Sequence, residues 1–187
     1  METTRRPGGG IDLEIAYLDR DVERHAADVA ALVAEYAEEA MALEKFLGEA
    51  HAFREIETER LGMFASYHPP GGRFLVAYID NVPAGCAAVV RRDVDIAELR
   101  RVFVRPQYRG AGLGAALVTA AIRVARDLGY RTLYLESHRS MHAAHRRYAD
   151  AGFVRVPPLS NYPDYLRAVA VCMALQLDAE TTAGQMT

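Results

Sequence analysis

Residues Val102–Leu117, VFVRPQYRGAGLGAAL, decide the fold of this chain. An apolar strand ends at residues 105–106, three glycines follow at alternate positions, and an alanine-rich helix begins directly after them. Those glycines are Gly110, Gly112 and Gly114. A glycine lets backbone amides approach a ligand with no Cβ in the way, and a helix start adds unpaired N–H groups and a partial positive charge. The pattern therefore predicts a cradle for a pyrophosphate group.

Two other glycine-rich loops fit this stretch less well. A P-loop requires a lysine and a serine or threonine after its last glycine, whereas Gly114 is followed by two alanines. A dinucleotide-binding fingerprint reads G-x-G-x-x-G, whereas the spacing here is G-x-G-x-G, preceded by Arg109. A third interpretation, a glycine-rich turn from strand to helix that binds nothing, stays open on spacing alone.

Periodicity on both sides of this stretch predicts a single mixed α/β domain. Strands are predicted at residues 13–18, 74–79, 85–91, 99–104, 132–136, 153–156 and 168–177, and helices at 22–43, 49–61, 113–128 and 141–151. The segment DNVPA at 80–84 joins two of the strands as a hairpin. We expect residues 11–177 to form the domain, with flexible tails at 1–10 and 178–187.

The composition excludes several classes of protein. A chain of 187 residues with 51% hydrophobic and 25% charged residues is an ordinary soluble domain, not a disordered, collagen-like or disulfide-based one. No apolar run approaches the roughly 18 residues of a membrane span. The opening METTRRPGGGID lacks the apolar stretch of a signal peptide. We therefore expect no membrane partner.

The net charge and the cysteine content limit which partners and which compartment we expect for this protein. A net charge of -3 gives no electrostatic footprint for nucleic acid, which we do not expect as a partner. Lys45 is the only lysine, so nearly all basic residues are arginine. Genomic base composition explains such a bias, and selection for bidentate anion contacts is the alternative. Cys86 and Cys172 each lie in an apolar run, as small buried side chains of a reducing, cytoplasmic compartment do.

Two motifs resemble those of the GNAT superfamily of acyl-CoA-dependent N-acetyltransferases. The run RGAGLG at 109–114 matches that family's Q/R-x-x-G-x-G/A signature, and AHRRYADAGF at 144–153 is similar to its A-x-x-x-Y-x-x-x-G-F element. The order of elements agrees from residue 13 to residue 177. The resemblance implies a GNAT-type fold, α/β with a central mixed, mostly antiparallel twisted sheet and helices on both faces.

The resemblance also implies a binding site for acetyl-CoA as co-substrate. The amides of the signature loop would hold the pyrophosphate, and a bulged strand before it would pair with the pantetheine arm. The loop residues are Arg109, Gly110, Ala111, Gly112, Leu113, Gly114 and Ala115, and the strand residues are Val102, Phe103 and Val104. Met141 stands where the family often has an asparagine that touches the cofactor, so that contact is not expected here.

Two residues are candidates for proton transfer. An acceptor amine with a pKa of about 10.4 is almost entirely protonated near neutral pH, so a base must assist its attack. Glu98 matches the position of the family's glutamate, and the alternative is a solvated strand-end charge paired with Arg100 or Arg101. Tyr148 matches the family's general acid for the leaving thiolate, and the alternative is core packing. Cys86 has no evident histidine partner, which disfavours a cysteine nucleophile.

The function that the resemblance implies is N-acetylation of a primary amine of a small molecule or peptide, by direct attack in a ternary complex. The alternative is a non-catalytic acyl-CoA-binding sensor of the same fold. A toxin that acetylates aminoacyl-tRNA would require a basic surface, which the net charge disfavours. A homodimer is possible, because relatives often dimerise through their last strands.

The acceptor site and a metal site are the least determined by the sequence. In this fold the acceptor pocket would include Tyr36, Phe46 and Tyr162. Acidic residues of the first helix, Glu35, Glu38, Glu39 and Glu44, would suit a cationic amine, or they form a solvated face. His138, His142 and His145 lie close together without an acidic partner at zinc-ligand spacing, so we expect a polar helix face and no metal. Arg146 and Arg147 would either contact the 3′-phosphate end of the cofactor or be solvated, and the sequence favours neither alternative.

Overall fold

The computed structural model describes residues 2–4, 13–18, 22–47, 67–159 and 164–177, and every structural statement below refers to those residues. The predicted helix at 49–61, the side chain of Phe46, Tyr162 and the tail at 178–187 lie outside them. Residues 2–4, within the predicted N-terminal tail, pair with the next strand.

Eight strands and four helices make up this part of the chain. The strands are β1 (Glu2–Thr4), β2 (Leu13–Leu18), β3 (Arg73–Ile79), β4 (Val82–Arg91), β5 (Ile96–Val104), β6 (Thr132–His138), β7 (Val154–Arg155) and β8 (Ala170–Gln176). The helices are α1 (Val22–Leu47), α2 (Leu113–Asp127), α3 (His142–Asp150) and α4 (Asp164–Arg167). A 3-10 turn, Pro106–Tyr108, follows β5. The short helix α4 was not predicted.

The strands form one sheet in the order β1-β2-β3-β4-β5-β6-β8-β7. Only β5 and β6 are parallel, and all other neighbouring pairs are antiparallel. This arrangement confirms the predicted mixed, mostly antiparallel sheet. The single parallel pair is the one connected by α2, because parallel neighbours require a crossover.

Helices cover both faces of the sheet, as predicted. Along β3, Leu75 and Ala77 pack in the cluster that contains Leu117 of α2. Phe74 and Val76 point the other way, into the cluster built on Val29 and Leu32 of α1. Successive side chains of a strand alternate between its faces, so a strand buried on both faces reads as a continuous apolar run.

The hairpin between β3 and β4 is tighter than predicted. The turn consists of Asp80 and Asn81 alone, both with positive φ, and β4 already begins at Val82. Asp and Asn tolerate the left-handed region better than other non-glycine residues, which is what a two-residue hairpin turn requires. The predicted loop extended to residue 84, whereas in the structure Val82 and Pro83 already pair with β3.

Two irregularities of β5 shape the region of the candidate site: a bulge where it pairs with β4, and a gap where it separates from β6. Between Cys86 and Ala88 the register of β4 against β5 shifts, so that Arg101 and Val102 oppose one residue. Arg101 at this bulge has a φ of 55°. The parallel pairing of β5 with β6 runs from Ile96↔Thr132 to Leu99↔Leu135, and no pair is described between the two strands beyond it. Their C-terminal halves therefore diverge, with β6 still paired to β8.

Candidate active site

The glycine-rich loop lies at the end of β5, where the two strands have diverged. Gly110 and Gly112 have φ values of 86° and 84°, and Gly112 caps α2 without a side-chain hydrogen bond. A Cβ on either glycine would meet nothing within 4 Å. The requirement for glycine is therefore the left-handed backbone, and not close packing. Ala115 and Ala116 donate to the Gly112 carbonyl, which closes the first turn of α2 on its N-cap.

At Gly114, unlike at Gly110 and Gly112, a neighbouring side chain lies close to the backbone. A Cβ there would lie 3.2 Å from the Cζ atom of Arg147, so the guanidinium from α3 packs over the first turn of α2. From the sequence, Arg147 was either a contact to the 3′-phosphate end of the cofactor or a solvated side chain. The structure thus adds a cation beside the helix start that the sequence predicts to bind a pyrophosphate.

Two arginines of the loop region bind two glutamates of α1. Arg105 donates from Nε to Glu35 Oε2 at 2.8 Å and from Nη2 to Oε1 at 2.7 Å. Arg109 pairs with Glu39 and donates from Nε to the Val104 carbonyl at 2.9 Å. The hydrogen bonds that Arg105 donates to Glu35 raise the pKa of Arg105. These two carboxylates of the predicted acidic face are therefore engaged by arginines.

Tyr148 lies on α3, buried in the apolar cluster of the α2 face. Its ring centroid is 5.9 Å from that of Phe153. Burial, with a smaller contribution from the neighbouring Tyr36, raises the pKa of Tyr148 above its ordinary value, so its hydroxyl stays protonated. Tyr36 from α1 also meets Phe103 edge-on at 6.2 Å. Three residues predicted for catalysis, acceptor binding and pantetheine binding thus lie at the same end of the gap.

Glu98 is the third residue of β5 and is buried, with 5% of its surface exposed. Its Oε2 accepts from Arg92 Nη1 at 2.9 Å, and its Oε1 lies 3.4 Å from Arg100 Nε. The predicted alternative, a pair with Arg100, is present, but the carboxylate is not solvated. Burial tends to lower the pKa of Arg92, and the attraction of Glu98 and Glu136 raises it overall.

Glu98 and Tyr148 lie on opposite faces of the sheet. Glu98 is opposite Val90, which packs in the α1 cluster, whereas Tyr148 packs in the α2 cluster. Glu98 still pairs with Tyr134 of β6, just before the two strands diverge. The two residues predicted for proton transfer are therefore on different sides of the sheet.

The cysteines and histidines that the structure describes are held in ways that do not fit a nucleophile or a metal centre. Burial raises the pKa of Cys86 to about 12, and its thiol donates to the Arg101 carbonyl at 3.4 Å. His138 Nδ1 bonds to Ser140 Oγ at 2.7 Å. Burial lowers the pKa of His145. Within the described ranges, no group of three His, Cys, Asp or Glu side chains is arranged to hold a metal ion. No helix in the same ranges is long and apolar enough to cross a membrane.

Comparisons with known proteins identify relatives of the whole domain. Residues 29–153 match the sequence model of the acetyltransferase (GNAT) family. An uncharacterised N-acetyltransferase of Schizosaccharomyces pombe is 30% identical over 155 residues, which cover 82% of this chain and 88% of that protein. An acetyltransferase structure from Streptococcus agalactiae shares the fold with a TM-score of 0.66 and 18% identity, over 88% of this chain and 98% of that one. A Salmonella typhimurium protein solved with its cofactor acetyl-CoA matches with a TM-score of 0.59 and 22% identity, over 94% and 99%.

Proposed function

The chain belongs to the GNAT family of acetyltransferases, and we propose that it transfers the acetyl group of acetyl-CoA to a primary amine of a small molecule or peptide. The observation that carries the proposal is the gap between β5 and β6, with the glycine-rich loop at one end and Tyr36, Phe103 and Tyr148 beside it. The reaction is direct attack of the amine on the thioester in a ternary complex.

Acetyl-CoA would bind along the gap. Within the predicted loop, the amides of Arg109 and Ala115 donate to the carbonyls of Pro106 and Gly112. The amides from Gly110 to Gly114 would donate to the pyrophosphate oxygens. The left-handed φ values of Gly110 and Gly112 support this role, because only glycine adopts such a backbone readily and both glycines belong to the predicted pyrophosphate loop. Residues 102–104, on the edge of β5 that no longer pairs with β6, would receive the pantetheine arm as an added strand.

Glu98 would assist removal of the amine's proton. The ammonium must lose one proton before its nitrogen can attack the thioester carbonyl and form the C–N bond. Both oxygens of Glu98 are already close to arginines, so a water between Glu98 and the amine fits this geometry better than direct contact. A main-chain amide near the bulge would then donate to the oxyanion of the tetrahedral intermediate.

Tyr148 would stabilise the leaving sulfur. When the C–S bond breaks, the thiolate needs a proton or a strong hydrogen bond, and a free thiol has a pKa of about 8.5. A phenol whose pKa lies above its ordinary value gives up its proton less readily than this thiol does. Tyr148 would therefore act as a relay, donating to sulfur and regaining a proton from the nitrogen of the intermediate.

A non-catalytic acyl-CoA-binding module is the second candidate function. The observation in its favour is that Arg92 and Arg100 flank the carboxylate that would serve as base. The two candidates differ in their response to substitution. In an enzyme, Glu98→Gln and Tyr148→Phe lower turnover and leave the affinity for CoA nearly unchanged, whereas a binding module has no turnover to lose.

The direct test is amine-dependent release of CoA thiol. The protein is mixed with acetyl-CoA and a panel of primary amines that includes amino acids, polyamines and short peptides. We expect thiol release above the background hydrolysis with at least one class of amine. Tight binding of acetyl-CoA with no release for any amine would overturn the enzyme proposal in favour of the binding module.

We further propose that the protein is a cytoplasmic homodimer that associates through its last strands. The strand β7 lies at the edge of the sheet and exposes Val154 at 63% of its surface. An edge strand with an exposed apolar side chain is a ready site for pairing. Sedimentation equilibrium at micromolar concentration tests this, and a monomer there contradicts it.

A further inference from the structure

We infer that Arg147 of α3 binds the pyrophosphate of acetyl-CoA jointly with the start of α2, an inference that rests on the proposed function. The observation behind it is the contact at Gly114, in the first turn of α2. A Cβ placed on Gly114 would lie 3.2 Å from Nε and Cζ of Arg147 and 3.3 Å from its Nη1. The guanidinium therefore lies directly against the helix turn whose amides the proposed function assigns to the pyrophosphate.

The charges around Arg147 are the second observation. In the part of the chain that the structure describes, no carboxylate forms an ion pair with Arg147, whereas Arg105 and Arg109 each have a glutamate of α1 as partner. The first turn of α2 contains no acidic residue. The N-terminal end of a helix carries a partial positive charge, so the guanidinium and the helix start repel each other unless an anion lies between them. Both features therefore favour a bound anion at this place.

Glycine at position 114 fits this arrangement. Gly110 and Gly112 have positive φ values, but Gly114 does not, because it belongs to α2. Inside a helix glycine is less favourable than alanine, so the backbone alone gives no reason for glycine here. What the missing side chain provides is space, which the guanidinium of Arg147 occupies. The helix start and the guanidinium can therefore approach the same anion.

The contact at Gly114 also favours one phosphate group of the cofactor over the other. The 3′-phosphate of CoA is on the ribose, several bonds beyond the pyrophosphate, whereas the guanidinium of Arg147 lies at the helix turn itself. The planar fork of an arginine can bind two phosphate oxygens at once, which suits a pyrophosphate that backbone amides hold from another side. The pyrophosphate is therefore the group that both the helix start and Arg147 can reach.

The test compares three ligands that differ in their phosphates, with binding measured by calorimetry. CoA carries both phosphate groups, dephospho-CoA lacks the 3′-phosphate, and pantetheine lacks both. We expect Arg147→Gln to weaken the binding of CoA and dephospho-CoA by the same factor, about tenfold or more, as the loss of a charge-assisted contact predicts, and to leave pantetheine unaffected. Arg147→Lys keeps the charge without the planar fork and should lose less. Arg126→Gln, in the last turn of α2 at the end far from the loop, is the matched control and should change nothing.

Three results of this comparison would overturn the inference. A loss of affinity confined to CoA would place Arg147 at the 3′-phosphate instead. An equal loss for all three ligands would mean that the substitution disturbs the site as a whole. Unchanged affinities would mean that the side chain is only solvated.

A double-mutant cycle ties the effect to the start of α2. Gly114→Ala places a Cβ against the guanidinium on a helical backbone, so it should weaken CoA binding, and this loss should largely disappear in the Arg147→Gln background. Losses that simply add would show that the two positions act separately, against the inference.

Amine-dependent release of CoA thiol, measured in parallel on the unaltered protein, separates this inference from the proposed function. If thiol is released but Arg147→Gln binds CoA normally, the inference fails and the proposed function stands. If CoA binding depends on Arg147 but no amine gives release, the enzyme proposal fails and the inference stands. If the unaltered protein binds no CoA, both fail.

Discussion

The guanidinium of Arg105 donates to both carboxylate oxygens of Glu35, at 2.8 and 2.7 Å, and joins the segment after β5 to α1. Arg109 and Glu39 repeat the contact four residues further along each partner. Both pairs span the end of β5, where the loop for the pyrophosphate begins. The position of α1, which carries Tyr36, is therefore coupled to the geometry of the loop.

Removing the Arg105–Glu35 pair should weaken the attachment of α1 to the segment after β5 and so lower the stability of the fold. Glu35→Gln leaves the largely buried Arg105 without its bidentate partner, and we expect a loss of about 1 to 2 kcal/mol of stability, between the values for exposed and buried pairs. Urea unfolding measures this. Glu38→Gln, an exposed carboxylate on the same helix, is the control and should be nearly neutral. Equal effects of the two substitutions would mean that the Arg105 pair contributes nothing.

The role of Gly112 in cofactor binding can be tested by comparing it with Gly129, a glycine with nearly the same φ outside the loop. Gly112 and Gly129 have φ values of 84° and 82°, and neither has an atom within 4 Å of an added Cβ. Alanine at either site should therefore destabilise the fold by a similar amount, about 1 kcal/mol. Only Gly112→Ala should also weaken binding of CoA, measured by calorimetry, because Gly129 lies at the other end of α2. If both variants bind CoA as the unaltered protein does, the loop is not the pyrophosphate site.

The buried thiol of Cys86 predicts a loss of stability at alkaline pH. Its pKa is raised from 9.0 to about 12 in the folded protein, chiefly by burial. The unfolded chain therefore releases this proton first as the pH rises, so stability is complete below about pH 9 and falls above it by roughly 1 kcal/mol per pH unit. Cys86→Ala removes this contribution, and the two stability curves should converge between pH 9 and 11. Curves that stay parallel would contradict a buried, protonated thiol.

The proposed base can be tested through the pH dependence of turnover. Glu98→Gln should lower kcat at neutral pH by about 10² or more, and the deficit should shrink as the pH approaches that of the amine's own pKa. Near that pH the amine loses its proton without help. A deficit that is independent of pH would show that Glu98 acts only through its contacts with Arg92 and Arg100.

The sequence predicted the parts of this site that are local in the chain. The loop, α2 and Tyr148 follow from glycine spacing, apolar periodicity and two short motifs, all within neighbouring residues. The pairs of Arg105 and Arg109 with α1 join residues 70 positions apart, and no local pattern marks them. Arginines and glutamates of such helices and loops are usually solvated, so their pairing became visible only in the fold.

The positive φ of Arg101 at the bulge and the burial of Glu98 were not predicted from the sequence, for two different reasons. An arginine with positive φ carries no signal in the sequence, because glycine, asparagine and aspartate are the residues expected there. Glu98 looked like a strand-end charge, since the predicted strand began at residue 99. The structure extends β5 back to Ile96, which puts the carboxylate in the middle of the sheet between two arginines.

The most direct test of the central claim, transfer by direct attack in a ternary complex, is a single-turnover experiment followed by mass spectrometry. The protein is mixed with one equivalent of acetyl-CoA, with and without a reactive amine, and the intact protein and the small molecules are weighed. We predict that CoA thiol and N-acetylated amine appear together in equal amounts, only when the amine is present, and more slowly in Tyr148→Phe than in a Tyr17→Phe control. Release of CoA without amine, with the acetyl group on the protein, would contradict the account.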